Sequence, residues 1–131
     1  MTDDLVKFLR ARLDDDERDA QAVGYSTAEA VDGLWDSKFV QLRGSVTTYN
    51  TTELPADLAV HMARHDPARV LAEVDAKRRL LDKTHPELQW ADSAAEGEWG
   101  NYQEAALDFL KIMALPYADH PDYRPEWAPE A

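Results

Sequence analysis

A chain of 131 residues is long enough to bury one core and too short for two, so a single domain over residues 1–131 is expected. Its net charge of −12, from 26 acidic and 14 basic residues, argues against direct binding to nucleic acid or to anionic membranes, which needs clustered Lys and Arg. The lack of cysteine removes disulfides, thiolate metal sites and cysteine nucleophiles and fits a reducing compartment.

No run approaches the ~20 apolar residues of a membrane span, and MTDDLVKF has neither the basic start nor the apolar stretch of a signal peptide. A soluble, cytoplasmic protein is therefore expected. Charge is uneven along the chain: residues 37–83 carry eight bases and six acids, whereas ten acids face four bases before them and two bases after them. The segments are expected to neutralise one another within the fold.

From Thr2 to about Ala22, Leu5, Phe8, Leu9 and Leu13 follow the 3.6-residue period, with Asp3 and Asp4 favourable at the positive end of a helix dipole. Asp16 lies in line with this stripe and is expected at the edge of the core. Residues 24–50 carry mixed signals. Ser26 and Glu29 imitate a capping box, which suggests a helical turn over Thr27–Val31, and FVQLRGSVTTYN has the composition of strands. A hairpin of Leu34–Leu42 with Ser45–Tyr49, turning near Arg43 and Gly44, is predicted; it must pack on helices or on a second copy.

A second helix, capped by Thr52 with Pro55 in its first turn, is predicted to end near His65. Asp66 and Pro67 then supply a cap and a first-turn proline for a third helix to about Lys83. In that helix Lys77 and Arg78 interrupt the stripe of Val70, Leu71, Val74 and Leu81. Either base is expected to pair with Asp16, since a charge at a core edge needs a partner. His85 and Pro86 are read as opening a loop that holds Trp90. A fourth helix follows from about Gly100 to Leu115, with Trp99, Tyr102, Ala106, Leu110 and Met113 on one face and Phe109 at its edge. After Pro116 an extended aromatic segment is expected.

Three blocks, DLVKFLRARLDDDE, ARHDPARVLAEVDAKRRLLD and ALPYADHPDYRPEW, together resemble a small actinobacterial and actinophage family known only as a domain of unknown function. The resemblance covers a little over a third of the chain and implies an actinobacterial or phage origin. It supplies no activity, substrate or catalytic residue. Where relatives open the variable middle with a Thr-Pro-Gly-Pro-Trp turn, this chain reads GYSTAEAVDGLWDSKF.

The spacing of His61 and His65 could aim two imidazoles at one metal ion. A catalytic zinc needs a third ligand and an open position, for which His85, His120, Asp66 and Asp119 are candidates. HDP is already explained as helix punctuation, the Glu of a zinc-protease helix is replaced by Met62, and both histidines share a face with Leu54 and Leu58, so they are read as inward-facing residues. No cofactor is expected. No serine sits in a nucleophile elbow, and the scattered glycines form no phosphate loop. Tyr117, Tyr123 and Trp127, interleaved with Pro116, Pro121 and Pro125, are candidate binding anchors; folded back, they would complete the core.

The sequence thus points to an α+β fold, mainly α: a small three- or four-helix bundle with a β-hairpin and a C-terminal segment packed on the helices. Its expected role is that of an acidic, non-enzymatic protein-binding module or regulator with a protein partner or a second copy of itself. The alternatives are a DNA mimic that inhibits a nucleic-acid-binding defence protein and a His/carboxylate metalloenzyme.

Overall fold

The computed structural model describes residues 2–44, 48–93 and 99–130, with side chains described outside 85–93 and 99–103. The fold is α+β. Helix α1 (Thr2–Ala22) precedes strands β1 (Thr27–Asp32), β2 (Ser37–Arg43), β3 (Thr48–Asn50) and β4 (Leu54–Pro55), then α2 (Ala56–Arg64), α3 (Pro67–Ser93) and α4 (Trp99–Ala114). Two short 3-10 turns, Leu115–Tyr117 and Pro125–Trp127, follow. Among the described residues no helix is long and apolar enough to cross a membrane. The contacts divide the chain into two compact units, Met1–Asp14 with Ala76–Ala131, and Asp15–Asp75.

In the first unit, α1 buries Leu5, Val6, Phe8, Leu9 and Leu13, and α3 and α4 bury Leu81, Leu110 and Ala114. Phe8 gathers the rings of the C-terminal segment. Its centroid lies 5.0 Å from Trp127, 5.7 Å from His120, 5.9 Å from Tyr123 and 6.4 Å from Tyr117, and the three longer contacts are edge-to-face, the arrangement that ring quadrupoles favour. The segment is therefore two 3-10 turns rather than an extended strap, because successive i→i+3 bonds (Ala118 N to Leu115 O, His120 N to Tyr117 O, Tyr123 N to His120 O) coil it tightly enough to bring four rings to one side chain.

Trp127 is only 2% exposed, although its Nε1 finds no hydrogen-bond partner among the described residues. An orphaned donor costs about 1–3 kcal/mol, whereas burying a tryptophan of some 150–250 Å² contributes about 4–6 kcal/mol, so burial wins. Ion pairs surround this core: Arg10 to Asp82 at 2.9 Å, Arg124 to Asp4 at 3.0 Å, and Arg78 to Asp14 at 2.7 Å. Asp14 belongs to the same acidic run as Asp16 and precedes it by two residues.

The second unit holds an antiparallel sheet with β2 at its centre. β1 pairs along one edge of β2, while β3 and β4 pair with opposite ends of the other edge. Between β3 and β4, Thr51 keeps the ladder closed: its N–H donates to Val40 O at 3.0 Å and its Oγ1 accepts from Val40 N at 2.9 Å. Alternation sends Val40 and Leu42 to one face, where they pack with Ala59 of α2. Their register partners are Ala30 and Ala28, and these small side chains leave room for the helix to approach.

The predicted helical turn at Thr27–Val31 is thus a strand. STAEAVD has helix-forming composition, but pairing with β2 overrides local propensity, and the Ser26 hydroxyl donates to Arg43 O at 3.1 Å instead of capping a helix. The β2–β3 pairing joins part of the predicted hairpin, but Arg43, where its turn was expected, ends β2 and pairs with Thr48; residues 45–47, the start of the predicted second strand, lie outside the described residues. Thr52 does not cap α2; Pro55, the end of β4, occupies the N-cap position.

The β1–β2 turn is held from outside. Leu34 N donates to Glu53 Oε1 at 2.9 Å, and a Cβ on Gly33 would stand 2.9 Å from that same oxygen and 3.1 Å from Ser37 O, so a larger residue there would displace the Glu53 carboxylate from its bond and crowd the Ser37 carbonyl. Trp35 takes a left-handed φ of 59°. At the base of the turn Lys38 donates to Asp32 Oδ1 at 2.8 Å; this bond and the ammonium charge hold the Asp32 carboxyl below its ordinary range.

Asp66 ties α3 to the sheet. Its Oδ1 accepts from Arg69 N at 2.9 Å, the N-cap bond, and its Oδ2 accepts from Ala28 N on β1 at 3.1 Å; Ala68 N donates to Ser26 O at 2.8 Å beside them. α3 then runs past Lys83, through Pro86, to Ser93, where a loop was expected. Proline's φ is itself helical, so it can stand within a helix at the cost of one backbone hydrogen bond. The side chains of His85 and Trp90 lie outside the described residues.

Asp66→Ala removes the cap and orphans the Ala28 amide, and should destabilise the protein by about 2–3 kcal/mol. Asp66→Asn, which keeps one acceptor, should lose less; urea melts of both compare them directly. Phe8→Ala should cost about 3–5 kcal/mol, as for other buried aromatics, and chemical denaturation followed by tryptophan fluorescence measures it.

Candidate interaction surface

Among the described residues, those singled out from sequence do not converge on one chemical centre. His61 and His65 stack with ring centroids 4.5 Å apart, and both are exposed, not turned inward. α2 lays Ala59 on the sheet, and that choice of face turns Leu58 and the two histidines outward. His65 shares a shallow depression of about 260 Å³ with Asp16 and Asp19. Asp66 has both carboxylate oxygens engaged by backbone amides.

His120 is also engaged. The Arg12 guanidinium, which can only donate, lies 2.8 Å from Nδ1, and Asp122 N donates to the same atom at 3.1 Å. Nδ1 is therefore the unprotonated nitrogen and Nε2 carries the hydrogen. Among the described residues no group of three or more His, Asp or Glu is placed to hold a metal ion. Of the aromatic candidates, Tyr117 and Tyr123 are half-buried and Trp127 is buried, all against Phe8.

The exposed apolar surface lies elsewhere in the first unit. A groove of about 410 Å³ is lined by Leu80, Thr84 and Lys77 of α3 and by Phe109, Ile112 and Met113 of α4. Leu80 is 54% exposed, Phe109 65% and Ile112 53%. The signal for it was present in the sequence. α4 is apolar at Leu110 and Ala114, which it buries, and again at Phe109, Ile112 and Met113, a wider arc than one core-facing stripe needs.

Charges of both signs stand around the groove. On α3, Lys83 sits on the flank of Leu80 away from Thr84, and Lys77 lines the groove itself. On α4, Asp108 is one turn before Ile112 and Glu104 one turn before Asp108, and Lys111 shares with them the flank of Ile112 away from Met113. A second exposed spot lies in the other unit, where the β1–β2 turn presents Leu34 and Trp35, the latter 99% exposed.

The model of the family of unknown function DUF6221 matches residues 2–129, and the chain belongs to that family. No curated protein and no solved structure matches the chain.

Because the two exposed imidazoles lack a third ligand among the described residues, the purified protein should carry no stoichiometric zinc, manganese or iron. Elemental analysis checks this: about one metal per chain, lost in His61→Ala/His65→Ala, would place a metal centre on α2.

Proposed function

We propose that the chain is a non-enzymatic protein-binding module that works through the α3–α4 groove. The observation that carries this reading is the contiguous exposure of Leu80, Phe109 and Ile112 around an apolar hollow with a polar rim. A contiguous exposed apolar patch rimmed by polar residues is a mark of an interaction site, whereas singly scattered apolar side chains are ordinary surface. A catalytic reading would require acids and imidazoles converging in a concavity; here Asp66 serves backbone amides and His120 serves Arg12 and Asp122. A DNA mimic would require an unbroken carboxylate face, and Asp4, Asp14 and Asp82 each face an arginine. An origin in an actinobacterium or its phage, and a cytoplasmic location, belong to this proposal and rest on the sequence alone.

Phe109→Glu and Ile112→Glu change exposed side chains and should leave the melting temperature within about 2 °C of the parent. A tagged parent chain, used for affinity capture in its native host and read by mass spectrometry, should retain protein that both variants lose. Equal retention by parent and variants would remove the groove from any binding role.

A further inference from the structure

The β1–β2 turn holds a tryptophan in water and strains its own backbone to do so. Trp35 is 99% exposed and Leu34 beside it 68%. Among the described residues Trp35 is the one residue other than glycine with a positive φ, at 59°. The left-handed region suits Gly and Asn and strains a bulky side chain, so this conformation persists only where surrounding bonds impose it. Those bonds are present on both sides. Leu34 N donates to Glu53 Oε1 at 2.9 Å and Ala56 N donates to Asp36 O at 3.0 Å, so the residues before and after Trp35 are both tied to residues 53–56. Across the turn Gly33 N donates to Ser37 O at 3.2 Å and Ser37 N to Leu34 O at 3.1 Å, and Lys38 closes its base on Asp32. None of these bonds uses the indole, which is fixed in place and left uncovered.

We infer that Trp35 is a preorganised anchor that inserts into an apolar slot, rimmed by Lys and Arg, on a partner protein. A rigid aromatic residue fixed before contact loses little freedom on docking, and tryptophan is among the residue types enriched at such anchoring positions. Charge names the chemistry of the rim. Asp32, Asp36, Glu53 and Asp57 stand on the turn and on the segment that clamps it, four acids against the single base Lys38. Lys38 is itself engaged by Asp32 at 2.8 Å. An acidic rim would be repelled, and so would a phosphate surface, whether nucleic acid or anionic lipid, whereas a basic rim is attracted. This anchor belongs to the second unit and is independent of the α3–α4 groove, so either can fail without the other.

The chain alone is tested first with Trp35→Gly, which removes the ring and relieves the left-handed φ. Its urea midpoint should equal or exceed the parent's; a less stable variant would mean that the tryptophan serves the fold, and overturns the inference. Immobilised full-length parent is then challenged with the basic proteins of a native-host lysate, those retained by cation exchange, and separately with the flow-through. A protein from the basic fraction should be held by the parent and by Phe109→Glu and lost by Trp35→Gly. Once purified, that protein should bind Trp35→Gly and Asp36→Lys at least about tenfold more weakly than the parent in calorimetry, and its binding should weaken as salt rises. Retention that Trp35→Gly leaves unchanged, retention from the flow-through alone, or no retention at all overturns the inference. Retention lost in Phe109→Glu but kept in Trp35→Gly supports the groove and overturns the anchor. Vesicles of phosphatidylcholine, with and without phosphatidylserine, form the last arm: the parent should bind neither, and binding that depends on Trp35 would assign the ring to a lipid surface instead.

Discussion

The first unit closes on the ring of Phe8. Four aromatic side chains from residues 117–127 reach it from more than a hundred residues away in sequence, and the Arg12 guanidinium lies over it, 5.1 Å from its centroid. Arg12 works twice, since the same guanidinium bonds to His120 Nδ1 and so fixes both the ring and its tautomer. A cation held over an aromatic face gains more when it is desolvated, and the Arg12 side chain is only 12% exposed. Aromatic packing, a cation–π contact and a hydrogen bond therefore act on one junction, and the C-terminal segment is held by all three together.

The second unit depends on a smaller device. One carboxylate, Asp66, gives its two oxygens to two elements, the first turn of α3 and the start of β1, which the backbone bond from Ala68 N to Ser26 O joins beside it. That arrangement answers the question raised by HDP, because a carboxylate that already accepts two backbone amides gains little from a further ligand role. The sheet it anchors is small, and its core needs only Val40, Leu42 and Ala59, with alanines across the register as spacers.

Much of this was legible in the residues. The 3.6-residue stripe of Leu5, Phe8, Leu9 and Leu13 set α1, and an Asp-Pro pair marked the start of α3, because both signals are local. β1 was not legible: Thr27–Asp32 has no strand character of its own and becomes a strand through β2 and Asp66, both distant in sequence. The orientation of His61 and His65 failed for a related reason. α2 carries apolar residues on more than one side, and the small Ala59, not Leu58, meets the sheet. Periodicity reports that a face is apolar, and contact decides which apolar face is covered.

The same ambiguity governs α4, and there it bears on function. Leu110 and Ala114 are covered, whereas Phe109 and Ile112 are left in water. Burying those rings and branches against a partner gains roughly 25 cal/mol for each Å² of apolar area removed from water, so the apolar strip sets how strongly a partner is held. Charged side chains around the hollow contribute less, since exposed pairs are worth about 0–1 kcal/mol each. Apolar contact accepts many orientations of a partner, so the weak electrostatic term of the polar rim selects among geometries that a stronger, undirected term leaves open.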